Sequence, residues 1–202
     1  EYIMAIRTAN NQSLTEITEI PSAVALGGLV LLETKTASGE SDFSFTSGID
    51  STYKEYIFKF INIHGSEDQQ FKVTFSTDGG SSYGIAKTTT YSNAYHTEAG
   101  SSGVGYNTSA DLANSTSAFN FSRGVSTDND ENSCGTMHLY DPSSTTFVKH
   151  FYTFFNELND GVGMNLIFPA GYVNTTSAID AVKFEVSTGT VDAGTLKMYG
   201  VT

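Results

Sequence analysis

Tryptophan is absent from the 202 residues, cysteine occurs once and proline three times. A lone Cys134 cannot close an intramolecular disulfide, so the fold has to hold without covalent staples. Positive charge is also scarce. Eight Lys and two Arg, Arg7 and Arg123, stand against 22 acidic residues and leave a formal charge of −12. Phosphate neutralisation needs clustered Lys and Arg, and here they are scattered singly, which argues against nucleic acid and against an anionic membrane surface. The longest apolar run, Ala23 to Leu32, is too short to cross a bilayer, so no membrane insertion is expected. The first residues lack the basic, apolar and cleavage regions of a secretory leader. Met4-Ala5-Ile6 reads as an ordinary start, with residues 1 to 3 expected to be an upstream extension.

What is present is hydroxyl-rich and aromatic. Ser and Thr together number 50, with 14 Phe, 11 Tyr and 19 Gly, while only 16% of residues are charged. A helical bundle would be rich in Ala, Glu, Lys and Leu, and a disordered chain would have few aromatics and dense charge. Thr, Val, Phe and Tyr suit a pleated, half-buried surface, and Gly, Ser, Asn and Asp supply turns, so the composition points to an all-β domain. One core is adequate at this length.

Residues 1 to 27 show no regular periodicity and close on Pro21 and Gly27-Gly28. They read as an N-terminal arm for assembly or docking, with Asn11, Leu14, Ile17, Ile20 and Pro21 as its contact residues. Residues 28 to 202 read as a single domain. Strands are expected at Leu29 to Thr36, Asp42 to Thr46, Tyr56 to His64, Phe71 to Thr77 and Ile85 to Tyr91. Further strands are expected at Gly135 to Tyr140, Phe147 to Phe155, Met164 to Val173, Ala181 to Ser187 and Thr195 to Val201. Between them, residues 92 to 133 form an irregular excursion in which only Phe119 to Ser122 resembles a strand. Seven lysines (35, 59, 72, 87, 149, 183 and 197) interrupt apolar runs and are expected on the solvent face. About ten short strands and little helix predict an antiparallel β-sandwich of the jelly-roll type.

Concentrated chemistry is hard to find. Asp128, Asp130 and Glu131, in the acidic run Thr127 to Asn132, are the one dense set of hard oxygen ligands and a candidate calcium site. The EF-hand pattern fails there, because Ser133 stands where Gly is needed and Leu139 where the bidentate Glu belongs. No other cofactor is expected. His64, His96, His138 and His150 lack the local spacing of a zinc site; three of them fall in or at the end of strands. H-E-x-x-H and phosphate-loop motifs are absent, and with so many Ser, Asp and His a triad could be invented almost anywhere, so no catalytic residue is assigned. Cys134, between Ser133 and Gly135, reads as a packing residue. Five Asn-x-Ser/Thr sequons (Asn11, Asn107, Asn114, Asn120 and Asn174) follow from composition. Tyr91, Tyr95, Tyr106 and Asn107, in or near the irregular segment, are candidate glycan-binding residues by stacking and hydrogen bonding, although the lack of Trp counts against a dedicated lectin site.

Several stretches resemble one group of proteins. Asn10 to Thr15 with Ile20 to Val24, the block Phe45 to Tyr56, the Ser76 to Tyr83 turn, Ala94-Tyr95-His96, His138 to His150, Asn174 to Val182 and Gly194 to Val201 are similar to small virion structural proteins of marine tailed bacteriophages, those infecting cyanobacteria and other ocean bacteria. The likeness runs from about residue 8 and weakens between 100 and 133. It implies a non-catalytic particle component, a capsid decoration or fibre protein, made in the host bacterial cytoplasm and displayed on the virion surface. Its partners would be other virion proteins and copies of itself, with a homotrimer expected because closed symmetry covers sheet edges. Two alternatives stay open: a tail-associated module that binds host surface glycans, and a polysaccharide-degrading enzyme.

Overall fold

The computed structural model describes residues 28 to 124, 127 to 159 and 163 to 202; the arm and its contact residues Asn11, Leu14, Ile17, Ile20 and Pro21 lie outside them. The described residues form an antiparallel β-sandwich without helices, as the composition predicts. Its strands are β1 (Leu29–Thr36), β2 (Asp42–Phe45), β3 (Glu55–Gly65), β4 (Phe71–Ser76), β5 (Lys87–Thr90), β6 (Ser92–Thr97), β7 (Ser102–Tyr106), β8 (Phe119–Asn120), β9 (Ser133–Tyr140), β10 (Lys149–Asn159), β11 (Gly163–Ile167), β12 (Ala170–Val173), β13 (Ala181–Val186) and β14 (Val191–Val201). The small sheet runs β2-β13-β4-β8 and the large one β1-β14-β3-β9-β10. Beyond β10 the large sheet divides. One half of β10 pairs with β12, which carries β5, and the other half pairs with β11, which carries β6 and β7.

The division has a local cause. Met164 to Val173 reads as one strand, but Pro169 has no N–H to give to a ladder, and the chain breaks into β11 and β12 around Phe168-Pro169. The break keeps its bonds: Thr153 N donates to Pro169 O at 2.8 Å, and Phe168 N to Ser92 O at 3.0 Å. On the neighbouring chain Tyr91 makes the matching interruption between β5 and β6. At the other side of the large sheet, Gly28 and Thr202 are tied together, with Gly28 N donating to Thr202 Oγ1 (3.1 Å) and Thr202 N to Gly28 O (3.2 Å).

Phenylalanine fills the space between the sheets. Phe60 on β3 meets Phe71, Phe121, Phe155 and Phe184 at centroid distances of 5.7, 5.5, 5.5 and 5.0 Å, mostly edge to face, the geometry that the ring quadrupole favours. Room for this comes from Gly135, which lies in register between Phe60 and Phe155 on β9. A Cβ there would sit 2.4 Å from Phe155 Cδ2 and 2.5 Å from Phe154 O. Gly135→Ala is therefore expected to cost about 1–3 kcal/mol of stability through overpacking. Chemical denaturation would measure it, and an unchanged midpoint would show that the rings can move apart.

Two expectations need correction. Residues 92 to 106 are not irregular: β6 and β7 form a hairpin that extends the large sheet, closed by a turn with Gly100 at φ +88°. Two of the seven strand lysines do not face solvent. Lys87 and Lys149 are both 0% exposed and flank Val173 in register on its two sides. Each ammonium is satisfied by main-chain carbonyls, Lys87 by Ile85 and Ser117 and Lys149 by Thr175 and Ser177, so each fastens an outlying loop to the sheet. Burial pulls the Lys87 amine down to about 8 and lowers that of Lys149.

Candidate functional site

A polar cleft of about 280 Å³ opens where the small sheet meets the loops around Tyr91. One wall is the edge of the small sheet. Lys72 on β4 stands in register with Asn120 on β8, and the chain stays bonded to β4 past β8, through Phe121 N to Phe71 O (3.0 Å) and Phe71 N to Ser122 Oγ (2.6 Å). Arg123 then leaves the sheet on a turn gripped from beneath. The Glu157 carboxylate at the end of β10 accepts from Arg123 N (2.7 Å) and Gly124 N (3.1 Å). Glu157 is 1% exposed, and burial lifts its carboxyl to about 8 against the lowering effect of those two N–H groups and of the Arg123 charge. The opposite wall is Tyr91 and the segment after β7. Asn107 N donates to Tyr91 O (2.9 Å), and Asn107 Oδ1 accepts from Ser109 N and Ser109 Oγ. Asp111, also on the lining, accepts the Tyr106 hydroxyl at 2.6 Å.

Of the four candidate glycan residues, the structure brings Tyr91 and Asn107 together on this cleft. Tyr106 touches its rim through Asp111. Tyr95 lies apart on the hairpin, its ring over Gly103. Tyr91 is only 2% exposed, and burial raises its hydroxyl well above the usual tyrosine range, so it is a wall and not a stacking platform. Arg123 and Lys72 were not among the candidates. Neither carries a local sequence signal, because the register of β4 with β8 and the turn held by Glu157 are what bring them together.

No family model matches the chain, and neither a curated protein nor a solved structure matches it.

A second feature is the outer face of the large sheet. Along β10 the odd residues point inward, so Lys149, Thr153 and Glu157 are buried with Phe151 and Phe155, while Tyr152 and Phe154 face out, Phe154 with half its surface exposed. On β11 Asn165 is buried and Met164 is exposed. These strands mix the usual arrangement, with polar side chains among the apolar ones inside and large apolar side chains outside. The outward residues continue across the sheet, where Leu31, Tyr199, Ile57, His138 and Tyr152 fall in one register row over five strands. The His138 and Tyr152 rings stack at 4.5 Å with 9° between planes, and the His138 Nδ1 bonds Glu55 Oε1. Beside them, Tyr140, Tyr152, Tyr172, His150 and Thr88 to Thr90 line an apolar groove of about 410 Å³.

The acidic run does not assemble a ligand set. Glu131 is buried at the foot of β9 while Asp128 and Asp130 are exposed, and no group of three or more His, Cys, Asp or Glu among the described residues is placed to hold a metal. The Asp128 carbonyl is turned instead to His64, whose Nδ1 bonds Asp192 at 2.6 Å; that bond raises the imidazole above its ordinary value. Gly80-Ser81-Ser82-Tyr83-Gly84 has the spacing of a hydrolase nucleophile, but that motif needs a strand-to-helix elbow. Here it is a turn in which Ser82 Oγ donates to Asp78. Asp78, bonded by Ser82 and Ser76, is held down at about 2. Cys134 is half-buried at the β3 bulge, its Sγ accepting from Asn62 N.

Proposed function

We propose that this chain is a non-catalytic structural protein displayed on the surface of a tailed-phage particle, as a capsid decoration or fibre component, and that it assembles with copies of itself as a homotrimer. The exposed apolar side chains on the outer face of β10 and β11 carry the proposal. The buried Lys149 and Glu157 fasten loops within one chain, but nothing among the described residues of one chain covers Tyr152, Phe154 and Met164 on the outer face. The same strands make sense if their outer face is covered, and a second copy is a partner that offers the same apolar surface in closed symmetry. Ser and Thr elsewhere on an acidic surface suit exposure to bulk water, and the resemblance to marine phage virion proteins agrees with both.

Immunogold labelling of purified virions is expected to decorate the particle; a chain found only in lysate and never on particles would end the proposal. In solution, Phe154→Asp is expected to convert a trimer into a monomer of nearly unchanged stability, because its side chain lies outside the core. Light scattering behind a sizing column reads this directly, and a wild-type monomer at all concentrations would remove the self-assembly. The polar cleft favours a second reading, a tail-associated module that recognises host surface glycans.

A further inference from the structure

We propose that the polar cleft between β4, β8 and the Tyr91 loop binds an acidic saccharide unit, with its carboxylate or sulfate against Arg123 and Lys72 and its hydroxyls against Asn107 and Asn120. The inference deepens the receptor reading and rests on it for the origin of the ligand. The binding itself is a property of the isolated protein.

The disposition of positive charge is the first ground. In a chain with net charge −12, cations are few, and five of the ten are already engaged. Lys35, Lys54 and Lys183 are in ion pairs, and Lys87 and Lys149 are spent on carbonyls. Lys72 and Arg123 are in no ion pair among the described residues, yet both line one cleft. Among the described residues the guanidinium hydrogen-bonds to Asn165 Oδ1 alone, at 3.5 Å. The acidic neighbours are each engaged. Glu185, in register with Lys72, is paired with the Lys183 cation, and Asp111 accepts the Tyr106 hydroxyl, a neutral group that adds no compensating charge. Glu157, closest to the Arg123 turn, has its carboxyl raised by burial, so it positions the turn through two N–H bonds while cancelling less of the charge that the turn presents than an exposed carboxylate would.

The second ground is shape and lining. A planar guanidinium pairs with a carboxylate or sulfate through two parallel bonds, which a point charge such as Lys72 reinforces. About 280 Å³ exceeds what an inorganic oxyanion fills, and the rest of the lining is amide and hydroxyl: Gln70, Asn107, Asn120 and Ser109. An amide both donates and accepts, which matches the dual character of a sugar hydroxyl. The Asn107 and Asn120 oxygens already accept from Ser109 and from Ser122 N, so these two side chains offer their NH2 groups to the oxygens of a saccharide, and Gln70 on the same lining supplies a further amide.

Isothermal titration of the full chain with oligogalacturonate and with dextran sulfate tests the proposal, using unmodified dextran and sodium sulfate as controls. At least one acidic saccharide is expected to bind, with affinity falling as salt is raised, and Arg123→Gln and Lys72→Gln are each expected to weaken it about tenfold or more. Both variants keep the side-chain stem on the surface and should melt with wild type; if Arg123→Gln does not, Lys72→Gln alone decides. Four outcomes overturn the proposal: neither acidic saccharide binds; dextran binds as tightly; both variants leave affinity unchanged; or sodium sulfate binds as well as the saccharides, which would reduce the cleft to an inorganic-anion site. Virion labelling is untouched by any of these, so the cleft and the particle location fail separately.

Discussion

Replacing Phe60 by Ala is expected to destabilise the protein by about 3–5 kcal/mol, the range for deleting a fully buried aromatic ring. Phe60 is the hub of the core. Four other rings lie within 5.7 Å of its centroid, and they come from β4, β10, β13 and the segment after β8, so one truncation loosens both sheets at once. With domains of this size stable by about 5–15 kcal/mol, the loss would be a large share of the total. Urea denaturation of the variant checks it. A loss under about 1 kcal/mol would mean that neighbouring rings collapse into the space, and would refute the hub.

The second large effect concerns pH. Glu157 has a folded-state pKa of about 8, raised by burial far above the value of roughly 4.3 expected in the unfolded chain. Folding therefore takes up a proton between these values, and stability falls as pH rises from about 4 to about 8. Among the described residues its Oε2 has no hydrogen-bond partner, nor does Ser133 Oγ in register with it, so only the two N–H groups on Oε1 and the Arg123 charge offset the desolvation of the ionised form. Glu157→Gln keeps an oxygen for the Arg123 and Gly124 N–H groups and removes the titration. The variant is expected to be more stable than wild type at pH 8 by roughly 1–3 kcal/mol, with a smaller difference at pH 5. His64 titrates in the same direction: its raised pKa gives stability below its unfolded pKa that is lost as pH climbs through the folded one. His64 is common to both proteins, so it cancels in the comparison. Asp78, held at about 2, gains or loses its contribution only in acid, outside this window. Parallel pH profiles for the two proteins would refute the assignment.

Much of the fold was legible from alternation and turn chemistry. β1 spans the eight residues expected of it, and β4 shows Phe71, Val73 and Phe75 inward as its pattern requires. The hairpin β6–β7 was not, for a physical reason. It projects from the body of the sheet, most of its residues are at least partly exposed, and Val104 is 80% exposed, so selection for a buried face has left no period of two in Ser, Asn and Gly. The parity of β10 was misleading because Lys149 to Glu157 carries aromatics on both faces; Lys149 was expected outward with the other strand lysines, and the fold turns it inward along with Thr153 and Glu157. The cleft was half legible. Tyr91 and Asn107 were singled out by composition, while Arg123 and Lys72 needed the β4–β8 register and a buried carboxylate more than thirty residues away in sequence.

The bond between Gly28 and Thr202 sets how the domain would carry load. β1 and β14 are antiparallel neighbours, so Gly28, at the start of one, and Thr202, beyond the end of the other, lie side by side at one corner of the large sheet. Tension between those two points would unzip the β1–β14 ladder one hydrogen bond at a time, beginning with this pair, and would meet little resistance. Tension between either point and the far hairpin would instead strain many bonds of the sheet together. The domain is thus mechanically soft in one direction and stiff in the other, and a tether at that corner would hold most firmly when the opposing pull comes through the β6–β7 end.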